Sequence, residues 1–95
     1  MERILTQHPD GKQGVNIDKQ KYDQVASAIQ NTLSAGETAF KDLPKAVGEQ
    51  LKGNFEGSIG WYVTTVKLDL EARGVIARVK GANPQRLTLV KPITC

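Results

Sequence analysis

Cysteine occurs once in the 95 residues, as Cys95, the last residue. A lone thiol cannot close an internal disulfide, so nothing here requires an oxidising compartment, and Cys95 reads as an inert tail residue. Histidine also occurs once, as His8, and one His with one terminal Cys cannot supply a zinc site of ordinary ligand spacing. No apolar run approaches the roughly 18 residues that a membrane helix needs. The segment Met1-Glu2-Arg3-Ile4-Leu5-Thr6 lacks the apolar stretch of a signal peptide, so the cytoplasm is the expected compartment. Gly57-Ser58-Ile59-Gly60 lacks the flanking Gly-Lys-Ser/Thr of a phosphate loop. The acidic residues are scattered, and no nucleophile stands beside a base. His8 and Asp10 are close in sequence, but turn polarity is the ordinary reading of that pair. These absences predict a protein that is not an enzyme and has no cofactor, no metal, no small-molecule substrate and no membrane partner.

Charge is present but unevenly placed. Residues 1–57 carry seven Lys/Arg against eight Asp/Glu, a net −1. Residues 58–95 carry six against two, a net +4. A basic C-terminal part hints at a polyanionic partner.

The length is that of one domain, read as an N-terminal arm over 1–17 and a folded region over 18–95. His8-Pro9-Asp10-Gly11 and Gly14 mark turns in the arm, whose apolar residues are Ile4, Leu5, Val15 and Ile17. Asp18 is a good cap for a helix over about 19–35, because its carboxylate can accept a free N–H of the first turn. Tyr22, Val25, Ile29 and Leu33 give that helix one apolar face. Thr38-Ala39-Phe40 is a short bridge. Leu43, Val47 and Leu51 mark a second helix over about 41–52, with Pro44 in its first turn. Ser58 can cap a third helix over about 58–73, which Gly74 ends. Two apolar faces emerge on it: Ile59, Val63, Val66 and Leu70, and nearly opposite them Trp61, Thr65, Leu68 and Ala72. The period then changes to two across Val75–Lys80 and Arg86–Val90, with Gly81-Ala82-Asn83-Pro84 as the turn and Lys91-Pro92 as the stop.

Three helices followed by a two-stranded β-hairpin form an α+β layout, that of a winged helix-turn-helix with the hairpin as wing and an N-terminal arm. Two segments resemble such domains in detail. Thr38-Ala39-Phe40-Lys41-Asp42-Leu43-Pro44-Lys45-Ala46-Val47 looks like the short strand and second helix. Leu70-Glu71-Ala72-Arg73-Gly74-Val75-Ile76 looks like the close of a recognition helix. Across most of the chain, Pro9, Gly11, Ile17, Tyr22, Gly60-Trp61 and Thr65-Val66-Lys67-Leu68-Asp69-Leu70-Glu71-Ala72 are similar to a family of small bacterial proteins of unassigned function. That resemblance implies the fold and no activity.

The layout and the basic part together point to double-stranded DNA as a partner, with a role in transcriptional regulation as one form of it. Gly60, Thr64 and Lys67 lie on the polar strip of the third helix, where a helix-turn-helix meets the major groove. Arg78, Lys80, Gln85 and Arg86 lie on or near the hairpin, where phosphates would be met. Against this, the strip holds one cation beside Glu71 and has no Arg, Asn or Gln for bidentate base readout. The alternative is a protein-interaction module that uses Trp61 and Leu68. A further alternative makes the basic hairpin only a solvated edge that resists pairing. Trp61 and Leu68 are expected to be covered, either by the arm or by a second copy in a homodimer.

Overall fold

The computed structural model describes residues 2–8, 10–12, 14–53, 55, 57–81 and 85–90. The expectations for Cys95, for Lys91-Pro92 and for the middle of the 81–84 turn lie outside them. The N-terminal arm, for which short strands were one expectation, is a two-stranded hairpin. Strand β1 (Arg3–Leu5) pairs antiparallel with β2 (Asn16–Asp18), in the register Arg3↔Asp18, Ile4↔Ile17 and Leu5↔Asn16. Alternation turns Ile17 into the core with Ile4 packed against it, and leaves Leu5 exposed.

β2 runs directly into α1 (Lys19–Ser34). The Asp18 carboxylate accepts the Gln20 N–H at 2.9 Å, the cap anticipated from sequence. Next comes β3 (Thr38–Ala39), then a 3₁₀ turn over Phe40–Asp42 and α2 (Leu43–Gln50). The second helix is shorter than the expected 41–52. Pro44 has no N–H to donate to the Phe40 carbonyl, so that oxygen is met one residue earlier, by the Leu43 N–H, and the entry tightens to 3₁₀.

Helix α3 (Ile59–Ala72) is capped by the Ser58 hydroxyl, which accepts the Trp61 N–H at 3.2 Å. It ends on Gly74 at φ 76°, a left-handed conformation that a Cβ would disfavour. There the Val75 N–H reaches back to the Leu70 carbonyl at 2.9 Å and the Gly74 N–H to Glu71 at 3.1 Å, which closes two otherwise orphaned carbonyls.

Among the described residues the fold is α+β, with three α-helices, one 3₁₀ turn and two small antiparallel sheets. The C-terminal sheet has three strands, where a two-stranded hairpin was expected. β4 (Ile76–Arg78) and β5 (Arg86–Leu89) pair as anticipated, and β3 adds to the far edge of β5 to give the order β3-β5-β4. A two-residue strand carries no periodicity. Its pairing is fixed by the neighbouring helices and by the Phe40 N–H on the Gln85 carbonyl at 2.9 Å.

The core is the meeting of the three helix faces, roofed by Ile76 and Leu87. Val25, Ile29, Leu33, Leu43, Val47, Val63, Val66 and Leu70 are all buried, as their helical phase required.

The N-terminal hairpin is closed by a tight approach. Thr6 is buried, its N–H donates to the Val15 carbonyl at 2.8 Å, and its hydroxyl accepts the Val15 N–H at 2.9 Å. A Cβ on Gly14 would lie 1.7 Å from the Thr6 carbonyl oxygen, so only glycine fits. Gly14→Ala should therefore open the hairpin base and cost roughly 1–3 kcal/mol, the usual range for forced overpacking. A urea midpoint unchanged in that variant would contradict the close packing.

Candidate functional site

The anticipated surface residues separate into three groups. Gly60 and Thr64 are exposed on the first two turns of α3, and Trp61 beside them is 47% exposed. Lys80 is exposed at the hairpin turn. These four are available to a partner.

Lys67 is not: it is 3% exposed. Its helical phase sets it between the buried face and the outer strip, and the 3₁₀ turn closes over it. The ammonium lies 3.1 Å from Glu71 Oε1 and 4.7 Å from the centre of the Phe40 ring. Burial lowers its pKa, while the Glu71 carboxylate opposes that fall.

Arg78 and Arg86 stand between these extremes. Both guanidiniums are partly exposed, and both are held. Arg78 grips Glu71 through Nε at 3.1 Å and Nη2 at 3.3 Å, which raises its pKa. Arg86 donates from Nε to Glu37 Oε1 at 3.4 Å and from Nη2 to the Glu37 carbonyl at 3.2 Å. Gln85 is half-buried, and its Oε1 has no hydrogen-bond partner among the described residues.

The second apolar face of α3 is covered in part. The N-terminal hairpin lies along it and leaves a cleft of about 100 Å³ lined by Thr6, Gln7, His8, Gly14, Val15, Thr65 and Leu68. Leu68 is half-buried there, which fits the arm as its cover. Trp61, further toward the helix start, stays exposed. Its ring meets Tyr62 edge-on at 5.0 Å, Tyr62 meets Phe55 at 5.1 Å, and the Lys21 ammonium lies 5.6 Å from the Tyr62 ring centre. His8 and Asp10 form a local turn contact, with His8 Nδ1 accepting the Asp10 N–H at 3.1 Å. Among the described residues, no group of three or more His, Cys, Asp or Glu is placed to hold a metal ion, and no helix is long and apolar enough to cross a membrane.

Sequence reasoning missed Asp69. This carboxylate is wholly buried and accepts from the Tyr22 hydroxyl, from the Gln7 backbone N–H at 2.8 Å and from Arg73 Nε at 2.8 Å. It joins the hairpin, α1 and α3. The signal was Tyr22: an inward tyrosine needs a partner for its hydroxyl, and Asp69 is a carboxylate set between Leu68 and Leu70.

A family model matches residues 3–87, from β1 into β5. The chain belongs to a family of unknown function (DUF6958). No curated protein and no solved structure matches it. The match takes in the exposed start of α3, Asp69 and Glu71, and it ends two residues into β5.

The Tyr22–Asp69 bond has a titration signature. Burial, then the bond to Asp69 and that residue's charge, hold the Tyr22 proton well above the ordinary tyrosine value near 10. The unfolded chain loses this proton first, so the stabilisation is complete below pH ~10 and is lost as the pH rises further. Lys67 acts in the opposite direction, since its lowered pKa makes stability rise toward its ordinary value of 10.5. Comparison with Tyr22→Phe separates the two. The variant should lose roughly 1.5–3 kcal/mol at pH 7, as for a hydrogen bond to a charged group, and show a flatter decline above pH 10. Identical pH slopes in urea melts of both proteins would exclude the bond.

Proposed function

We propose that this chain is a non-enzymatic winged helix-turn-helix module that associates with duplex DNA in the cytoplasm. The observation that carries the reading is the order of elements. A helix, a short strand, two helices and a hairpin follow one another, and the short strand closes the hairpin into the sheet β3-β5-β4. In this reading α2 and α3 are the helix-turn-helix and β4–β5 is the wing. Gly60, Trp61 and Thr64 on the outward start of α3 approach the groove. Lys80, with the outer edges of Arg78 and Arg86, meets phosphate.

One observation favours a second reading, a protein-interaction module on the same scaffold. The exposed start of α3 offers a half-exposed Trp61 and no cation. Enrichment in Trp with depletion of charge is the composition of a protein-binding surface.

A fluorescence anisotropy titration of a labelled random duplex separates the two. The DNA reading expects a Kd in the nonspecific range of roughly 10⁻⁶–10⁻⁴ M, weakening steeply with salt. Lys80→Glu should weaken binding further and reduce the log–log salt slope by about 0.9. No association at high micromolar protein in low salt would remove the DNA reading in favour of the interaction module.

A further inference from the structure

We infer that this module, where it acts on DNA, recognises the duplex backbone and is blind to base sequence. The inference rests on the DNA reading above and specifies its ligand: any B-form duplex, held through its phosphates.

Base identity is read in the major groove by groups with paired donors or acceptors: Arg or Lys on guanine, Asn or Gln on adenine, a carboxylate on cytosine. Between Ile59 and Ala72 the chain has no Arg, Asn or Gln. Its one Lys, Lys67, is 3% exposed and spends its charge on Glu71 and Phe40. Its carboxylates are equally withdrawn. Asp69 is wholly buried, and the Glu71 side chain is 5% exposed and engaged by two cations. What remains outward on the first two turns is a glycine, a tryptophan ring and a threonine, and none of these offers a paired hydrogen-bonding group. Further along, the N-terminal hairpin stands against Thr65 and Leu68, so no fresh turn of α3 can be turned toward a groove.

The hairpin wing is restricted in the same way. A free arginine can enter a narrow minor groove and so prefer A-tracts. Arg78 is forked onto Glu71, and Arg86 is tied to Glu37 at both a side-chain and a backbone oxygen. Neither can extend into a groove without giving up its acid. Both side chains nonetheless stay partly exposed, at 51% for Arg78 and 42% for Arg86, so a phosphate lying across the surface can still meet them while the ion pairs hold. Lys80 has no ion-pair partner among the described residues and is the third cation of the described hairpin. Three phosphate contacts correspond to a salt slope of roughly −2.7.

The test uses the full chain and four unlabelled competitors against one labelled duplex: alternating AT, an A-tract, alternating GC and a mixed sequence. Selection from a random duplex pool runs beside it. The inference expects competition constants within about threefold of one another, a log–log salt slope of roughly −3, and no enriched motif. Arg86→Glu with Lys80→Glu should weaken all four equally. A preference of tenfold or more for one duplex, or an enriched motif, overturns sequence blindness and leaves DNA binding standing. No binding to any duplex overturns both the inference and the reading beneath it.

Discussion

Asp69 sits in the last turn of α3 with none of its surface in contact with water. A carboxylate so placed is tolerable only when its lone pairs are filled, because an unpaired charge in the interior costs several kcal/mol. The fold meets that demand from three directions at once: the Tyr22 hydroxyl from α1, the Gln7 amide from the end of the hairpin strand, and Arg73 from one turn further along α3. The contact is therefore more than local. Without it the hairpin keeps its own two-strand pairing and the apolar contacts of Ile4 and Ile17, but loses the hydrogen bond that fixes its height along α3. A two-stranded hairpin is marginal in water by itself, so this bond and the burial of Ile17 together make β1 and β2 part of the domain.

Glu71, two residues on, performs the corresponding service for the sheet. It faces the other side of α3 and is shared by Lys67 beneath it and Arg78 from β4. The two carboxylates divide the work, one holding the hairpin to the helix and the other holding the first strand of the three-stranded sheet. Both take their charge partners from the cations that composition had suggested for a polyanion. The net +4 of residues 58–95 is thus smaller as a surface property than as a count, since Asp69 and Glu71 engage three of its six Lys/Arg.

Periodicity made the helices, their caps and their inward residues legible. Tyr22, Val25, Ile29 and Leu33, or Val63, Val66 and Leu70, repeat often enough to set a phase, and Asp18, Ser58 and Gly74 mark ends by chemistry that works locally. β3 was visible only as a bridge, because two residues have no period and their pairing with β5 bridges some 48 positions. The hairpin register was hidden for a related reason: Thr6 and Gly14 are matched by a steric approach that shows nothing in either residue's neighbourhood. Lys67 was misplaced by its type. A lysine on a helix is read as outward, yet its phase lies close to that of Val63, and the pairing with Glu71 at one helical turn is what lets it stay inside. Trp61 and Leu68 were rightly grouped as a second apolar face, but the hairpin extends only far enough to shelter Leu68.

What the chain leaves uncovered follows from that geometry. The hairpin shields the later turns of α3 because Asp69, its anchor, lies there; the sheet shields the Lys67 side because Glu71 lies there. Only the first two turns escape both, and they begin at a serine-capped helix start bearing Gly60, Trp61 and Thr64. Stability and recognition therefore draw on opposite ends of one helix. The end that carries charge is consumed in holding the fold, and the end that faces outward is almost without it. In the proposed DNA reading, a partner meeting α3 finds a glycine, an indole ring and a methyl-bearing hydroxyl, and takes its electrostatic attraction from Lys80 and the exposed parts of Arg78 and Arg86. On that reading the surface suits a ligand whose charge is spread and repeated, and poorly suits one told apart by single hydrogen bonds.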